Sequence, residues 1–101
     1  MIHVIAQIDL APGKRSRFLA ELQQIVPRVL AETGCIEYGA AVDASTDLER
    51  QHRSPDRVTI IEKWDTIHHL QDHLAAPHML TYREQVGDMI INAQLNILTP
   101  A

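Results

Sequence analysis

Apolar and polar residues alternate with a period of two at both ends of the chain, and this feature constrains the fold most. The first run, Ile2–Leu10, carries its apolar side chains at Ile2, Val4, Ala6, Ile8 and Leu10. The last run, Ile90–Leu98, alternates apolar residues with Asn92, Gln94 and Asn96. Side chains of a strand point alternately to its two faces, so both runs predict strands with one face more buried than the other.

Helical periodicity follows the first strand. After the Pro12-Gly13 pair, apolar residues recur at steps of three and four, at Phe18, Leu22, Ile25 and Val29. This stripe predicts a helix of about five turns that closes near Gly34. Pro27 lies inside it and lacks the N–H of an interior hydrogen bond, so we expect a kink or a break there.

The middle of the chain predicts two further strands and a second helical region. Residues 36–42 and the β-branched segment 57–64 have strand character, and a polar loop of 14 residues joins them. Asp65 or Thr66 is a candidate N-cap for the next helix. Pro77 interrupts that helical pattern, and a new apolar stripe continues from Met79 to Met89.

The predicted order is strand, helix, strand, strand, helix, strand, which is the split βαβ arrangement of a ferredoxin-like α+β domain. One such domain accounts for residues 1–101. Both helices must cover one face of the four-stranded sheet, and the other face mixes apolar side chains with amides. That mixture favours a homodimer that packs sheet on sheet, although a solvated face is the alternative.

Charge and hydropathy restrict the partners. The net charge is −4, and no aromatic residues lie among the scattered Lys and Arg residues, so a nucleic-acid partner is not expected. No apolar run approaches the roughly 18 residues that a membrane span needs, and the N-terminus lacks the pattern of a signal peptide. We therefore expect a cytoplasmic protein that contacts no membrane.

Three segments together resemble a known family. They are IVPRVLAETGCIEY, IIEKWDTIHHLQDHLAAPHMLTYREQV and LNILTP, in that order along the chain. They are similar to the bacterial quinol monooxygenases of the antibiotic biosynthesis monooxygenase family, which share a Glu-x-Gly-Cys-x-x-Tyr turn, a Glu-x-Trp strand end and a His-containing second helix. The resemblance implies a ferredoxin-like protomer, a dimeric α/β barrel formed by two sheets, and oxidation of quinols by O2 without metal, flavin or haem.

The histidines of the second helical region allow other interpretations. His69 and His73 lie four residues apart, a spacing that could hold a metal, and His78 is near in sequence. The Glu of a His-Glu-x-x-His motif is missing, since Leu70 follows His69, so we expect no metal site. Haem degradation is also disfavoured, because Gln7 and His73 replace the Asn and Trp of the haem-degrading relatives.

The resemblance and the residue chemistry together give candidate site residues. We expect His73 to be the base that takes a proton from the quinol, with Glu62 as a second proton acceptor. Tyr82 or Tyr38, together with the amide of Gln7, would hold the developing oxyanion. Glu62 lies on a mostly apolar strand face and needs a partner such as Arg83 or a histidine. The remaining candidates would form apolar walls, namely Ile5, Trp64 and Met79.

Two alternative functions remain at the level of sequence. The same fold family contains cofactor-free isomerases of small hydroxy-carbonyl compounds, which would turn over their substrate without O2 uptake. A non-catalytic module that sequesters a quinone-like molecule would bind it without turnover. The fold does not decide among these functions, because a fold supports many chemistries.

Overall fold

The computed structural model describes the whole chain, residues 1–101. The strands and helices follow the predicted order. They are β1 (Ile2–Leu10), α1 (Arg15–Leu30), β2 (Cys35–Ala41), β3 (Arg57–Trp64), α2 (Ile67–Leu74), α3 (Pro77–Val86) and β4 (Ile90–Leu98), with a single 3₁₀ turn, Gly87–Met89, before β4. The ferredoxin-like prediction is confirmed.

The four strands form one open antiparallel sheet in the order β2-β3-β1-β4. In β1, Val4 and Ile8 point to the face that the helices cover, and their cross-strand partners there include Glu62 and Val58 of β3. The alternate residues of β1, His3, Ile5, Gln7 and Asp9, point to the opposite face. A buried core of apolar side chains fills the space between the sheet and the helices, with Trp64, Phe18 and Leu22 as its largest fully buried members.

The helix ends follow local chemistry, with one departure from expectation. Thr66 caps α2, because its hydroxyl accepts a hydrogen bond from the His69 N–H at 3.2 Å. Pro77 occupies the first turn of α3, where its missing N–H costs no helical hydrogen bond. Helix α1, however, runs through Pro27 to Leu30, so of the expected kink or break the break is absent. Pro27 removes one interior hydrogen bond, that of its missing N–H to the carbonyl of Gln23. The apolar stripe is nevertheless buried on both sides of it, at Ile25 and Val29.

The turn between α1 and β2 depends on Gly34. Its φ of +83° is a left-handed conformation that glycine adopts without strain. A Cβ at this position would lie 2.3 Å from Cγ of His69, so the turn also approaches α2 too closely for any side chain. The Gly34 carbonyl accepts a hydrogen bond from the Asp65 N–H at 2.8 Å, which fixes the turn against the end of β3.

The helices do not cover the whole sheet. Leu95 and Ile97 of β4 point to the same face as Val4, yet they are 50% and 45% exposed. The helix layer therefore leaves the β4 edge open. None of the helices is long and apolar enough to span a membrane.

Candidate active site

A cavity of about 450 Å³ lies between the sheet and the helix pair α2 and α3, toward the open β4 edge. Its walls are mostly apolar, and they come from all four strands and from α2 and α3. The apolar side chains that line it include Ile8, Ile60, Met79, Val86, Ile90 and Leu95. Five polar side chains interrupt this surface, namely those of Tyr38, Glu62, His73, Tyr82 and Arg83. A mostly apolar cavity with a few converging polar groups is the usual form of a small-molecule site.

Six of the nine side chains proposed from the sequence line this one cavity. They are Tyr38, Glu62, His73, Met79, Tyr82 and Arg83. They come from β2, β3, α2 and α3, so residues far apart in the sequence meet at one place. The other three proposed residues, Ile5, Gln7 and Trp64, do not line it.

Ile5 and Gln7 lie on the face of the sheet that points away from the helices. Ile5 is paired with Ile61 and Gln7 with Thr59, whereas the intervening residues of β1 point toward the core. Side chains one residue apart on a strand necessarily point to opposite faces. The structure therefore removes both residues from the cavity. The amide of Gln7 faces the Arg57 guanidinium instead.

Trp64 lies behind the cavity wall and contacts two of its polar residues. It is completely buried, and its ring lies 4.6 Å from the His73 ring, centroid to centroid. Its indole N–H donates a hydrogen bond of 2.9 Å to Oε1 of Glu62. Trp64 is thus placed to hold the two groups rather than to contact a ligand.

Glu62 is a carboxyl group on an apolar strand face. It is 6% exposed, and burial raises its pKa, while the hydrogen bond from Trp64 lowers it and the nearby Glu32 carboxylate raises it further. The sequence predicted Arg83 or a histidine as the partner of Glu62. Arg83 lines the same cavity but makes no salt bridge with Glu62. A histidine is near, because Nε2 of His73 lies 3.9 Å from Oε1, which is too long for a hydrogen bond.

His73 is the most deeply buried titratable side chain of the cavity, with 1% of its surface exposed. Burial lowers its pKa, and the hydrogen bond with Glu32 opposes that shift. Its Nδ1 lies 2.8 Å from Oε2 of Glu32. The Tyr38 ring packs edge-on against the His73 ring, with the two centroids 5.5 Å apart. The imidazole therefore contacts two aromatic rings, those of Tyr38 and Trp64. One ring nitrogen is engaged and the other is directed toward Glu62.

The two tyrosines of the cavity are held protonated. Burial raises the pKa of Tyr82, and burial together with the Glu62 carboxylate raises that of Tyr38. The Tyr82 hydroxyl is fully buried and has no hydrogen-bond partner. An unpaired buried hydroxyl costs about 1–3 kcal/mol.

His69 and His73, which the sequence spacing placed on one helix face, contact different groups in the structure. His69 contacts the Thr66 hydroxyl through Nδ1 at 2.9 Å, at the start of α2, whereas His73 is buried against Glu32. No group of three or more His, Cys, Asp or Glu side chains has the arrangement that a metal ion requires.

Sequence reasoning missed two residues that contact the site. Glu32 was part of the Glu-x-Gly-Cys-x-x-Tyr motif but received no role, and His78 was considered only as a metal ligand. The carboxylate of Glu32 contacts both His73 and His78, the latter through Nε2 at 2.9 Å. The position of Glu32 just before the tight turn at Gly34 was the available signal, but its proximity to α2 depends on the packing of the turn.

A ferredoxin-like α+β fold with a mostly apolar cavity between sheet and helices is typical of a domain that binds or transforms a small molecule. The model of the family "Antibiotic biosynthesis monooxygenase" matches residues 1–85. The chain is also 39% identical over 102 residues to "Probable quinol monooxygenase YgiN" of Escherichia coli strain K12, an alignment that covers 99% of this chain and 98% of the relative. The protein therefore belongs to the antibiotic biosynthesis monooxygenase family.

Solved structures agree with the fold. The structure of Rv0793 from Mycobacterium tuberculosis superposes with a TM-score of 0.82 at 27% identity, covering 99% of this chain and 94% of that one. A conserved protein from Methanosarcina mazei superposes with a TM-score of 0.84 at 24% identity, covering 99% and 92% of the two chains. The family and the fold together support a monooxygenase.

Proposed function

We propose that this protein is a cofactor-independent monooxygenase or oxidase that acts on a quinol or related polyphenol with O2. The observation that carries the proposal is the buried His73 in the wall of an otherwise apolar cavity, with Nδ1 engaged by Glu32 and Nε2 directed toward Glu62. The name of the relative YgiN points to the same substrate class.

The protein must first overcome the weak acidity of the substrate. A quinol hydroxyl has a pKa of about 10, so at pH 7 only about one molecule in a thousand is ionised, a shortfall of about 4 kcal/mol. A neutral imidazole accepts that proton efficiently near neutral pH. The lowered pKa of His73 keeps the ring neutral and able to act as the base.

The polar groups of the cavity divide into an accepting and a donating set. His73 accepts the proton at Nε2, and Glu62, 3.9 Å from that nitrogen, accepts from a second hydroxyl or shares the same proton. The protonated phenols of Tyr82 and Tyr38 donate hydrogen bonds to the developing oxyanion. The positive charge of Arg83 attracts the same oxyanion. Met79 and the other apolar wall residues exclude water, which strengthens each of these interactions.

The electron balance needs only the quinol and O2. If oxidation stops at the quinone, two electrons and two protons pass to O2 and yield hydrogen peroxide. If oxygen is inserted, the quinol loses four electrons, one oxygen atom enters the ring and the other leaves as water.

The assay of this proposal is oxygen uptake by the purified protein with a reduced naphthoquinol. We expect turnover well above autoxidation without protein, and mass spectrometry after reaction in ¹⁸O2 distinguishes oxygen insertion from peroxide formation. Metal analysis of the same sample is expected to give a substoichiometric metal content. Turnover of a hydroxy-carbonyl compound without O2 uptake, or tight quinone binding without turnover, would favour the isomerase or the binding module instead.

We also propose that two protomers associate through the sheet face opposite the helices. That face carries the apolar side chains of Ile5 and Ile61, the latter 38% exposed, among the amides of Gln7, Gln94 and Asn96. Burial of such a mixed face suits a symmetric contact with hydrogen bonds. Sedimentation equilibrium is expected to give twice the protomer mass of 11.4 kDa, and a concentration-independent mass of one protomer would contradict the dimer.

A further inference from the structure

The carboxylate of Glu32 joins two histidines that belong to different helices. Its Oε2 lies 2.8 Å from Nδ1 of His73 in α2 and 2.9 Å from Nε2 of His78 in the first turn of α3. Glu32 itself belongs to neither helix, because it lies in the turn that follows α1. Three segments of the chain therefore meet at one oxygen atom.

The turn that carries Glu32 is well anchored. The Glu32 N–H donates to the carbonyl of Val29 at 3.0 Å, and the Cys35 N–H donates to the carbonyl of Glu32 at 3.2 Å. Two residues after Glu32, the carbonyl of Gly34 accepts a hydrogen bond from the Asp65 N–H at 2.8 Å, which holds the turn against the end of β3. An anchored backbone reduces the freedom of the carboxylate, so its position relative to His73 is defined by the fold.

The chemistry of the contact fixes where the protons lie. An ionised carboxylate only accepts hydrogen bonds, so both ring nitrogens that contact Oε2 must carry a hydrogen. A neutral His73 with a hydrogen on Nδ1 has a lone pair on Nε2. Nε2 is the nitrogen directed toward Glu62 and the cavity.

We propose that Glu32 is a positioning residue that holds His73 in the tautomer with Nε2 free to accept a proton from a molecule in the cavity. His78 holds the same carboxylate oxygen from the outer side, where its side chain is 18% exposed. The role in turnover rests on the proposed quinol chemistry, whereas the tautomer itself does not.

The distance between His73 and Glu62 on the cavity side agrees with this role. Nε2 of His73 and Oε1 of Glu62 are 3.9 Å apart, so no direct hydrogen bond occupies the lone pair. A substrate hydroxyl placed near both atoms would donate to Nε2. When the proton has moved from the hydroxyl oxygen to Nε2, the resulting imidazolium donates to Glu32 through Nδ1, and the negative carboxylate stabilises its charge.

The first test is the tautomer of His73 in the wild-type protein at pH 7.5. Long-range ¹H–¹⁵N correlation spectra of histidine-labelled protein distinguish a protonated from an unprotonated ring nitrogen, and the His73→Asn spectrum assigns the signals. We expect a hydrogen on Nδ1 and none on Nε2. The opposite tautomer in the wild type would overturn the inference, and this measurement needs neither a substrate nor a folded Glu32 variant.

The second test is the variant Glu32→Gln, which retains the shape of the side chain but removes its charge and allows it to donate as well as accept. We expect kcat for quinol oxidation to fall by about 10²- to 10⁴-fold with KM changed far less, and the single His73 tautomer to be lost. Glu37→Gln, at an exposed carboxylate in the adjacent strand β2, is the matched control and should retain the wild-type kcat. A Glu32→Gln protein with wild-type kcat and tautomer would overturn the inference.

The two tests separate this inference from the proposed function. If the wild type shows the expected tautomer but turns over no quinol, the proposed substrate class is wrong and the positioning of His73 by Glu32 stands. If quinol turnover is present but the wild-type tautomer is the opposite one, the function stands and the positioning role is wrong.

Discussion

Replacement of His73 by Asn is expected to lower kcat for quinol oxidation by about 10²- to 10⁴-fold. Asn keeps a side-chain N–H near the position of Nδ1, which still donates to Glu32, but it has no counterpart of Nε2. The substitution thus removes the proposed base while it keeps a partner for the buried carboxylate. Oxygen uptake with a reduced naphthoquinol is the measurement, corrected for autoxidation at each pH.

The control for this prediction is His68→Asn on the same helix. His68 is an exposed histidine whose Nε2 lies 3.5 Å from Oδ2 of Asp72, outside the cavity, and its replacement should leave kcat unchanged. His73→Ala removes the whole ring and should be at least as slow. Unchanged turnover in either His73 variant would exclude His73 from the mechanism.

The pH profile of the wild type gives a second readout of the same base. Burial lowers the pKa of His73 below its ordinary value of 6.5, and a base acts only when it is unprotonated. We therefore expect kcat/KM to fall on acidification only below pH 6.5. The residual activity of His73→Asn should lack the part of this limb that belongs to the imidazole, and any acidic limb that remains belongs to Glu62, whose pKa burial raises.

Replacement of Trp64 by Ala is expected to lower the free energy of unfolding by about 3–5 kcal/mol. The indole is completely buried and lies against the His73 ring, so its removal leaves a large void beneath the site. Domains of this size are stable by only about 5–15 kcal/mol, so the loss is a large share of the total. Urea denaturation at a fixed protein concentration measures it.

Trp64→Phe separates packing from hydrogen bonding. Phe retains most of the ring but has no N–H for Glu62, so the carboxyl loses its only hydrogen-bond donor. We expect a smaller loss of about 1–3 kcal/mol. Leu48→Ala, at a side chain that is 70% exposed, is the control and should change stability by less than about 0.5 kcal/mol. A Trp64→Ala protein as stable as this control would contradict the packing described here.

Most of the fold was accessible from periodicity. The strands Ile2–Leu10, Arg57–Trp64 and Ile90–Leu98 were predicted with the bounds that the structure has, because alternation marks each residue of a half-buried strand. Pro27 was expected to kink or break α1, and the helix runs through it without a break. A proline removes one helical hydrogen bond, and burial of the apolar stripe on both sides of it, at Ile25 and Val29, opposes that loss.

The site was less accessible than the fold. His73, Glu62 and Tyr82 were selected from residue chemistry and the family resemblance, and the structure brings them to one cavity. Ile5 and Gln7 were assigned to the same pocket although the alternation of β1 already placed them on the other face of the sheet. That error was avoidable, because the period of a strand leaves adjacent side chains on opposite sides.

By itself, the sequence determined the order of elements, the apolar face of each one and the family to which the chain belongs, because these depend on local periodicity and on motifs along the chain. Only the tertiary structure decided that Glu32 contacts His73 and His78, that Trp64 supports the site from behind, and that Tyr82 has an unpaired hydroxyl. Those contacts join residues up to 46 positions apart. Their distances are set by how the turn at Gly34 packs against α2, which no local pattern specifies.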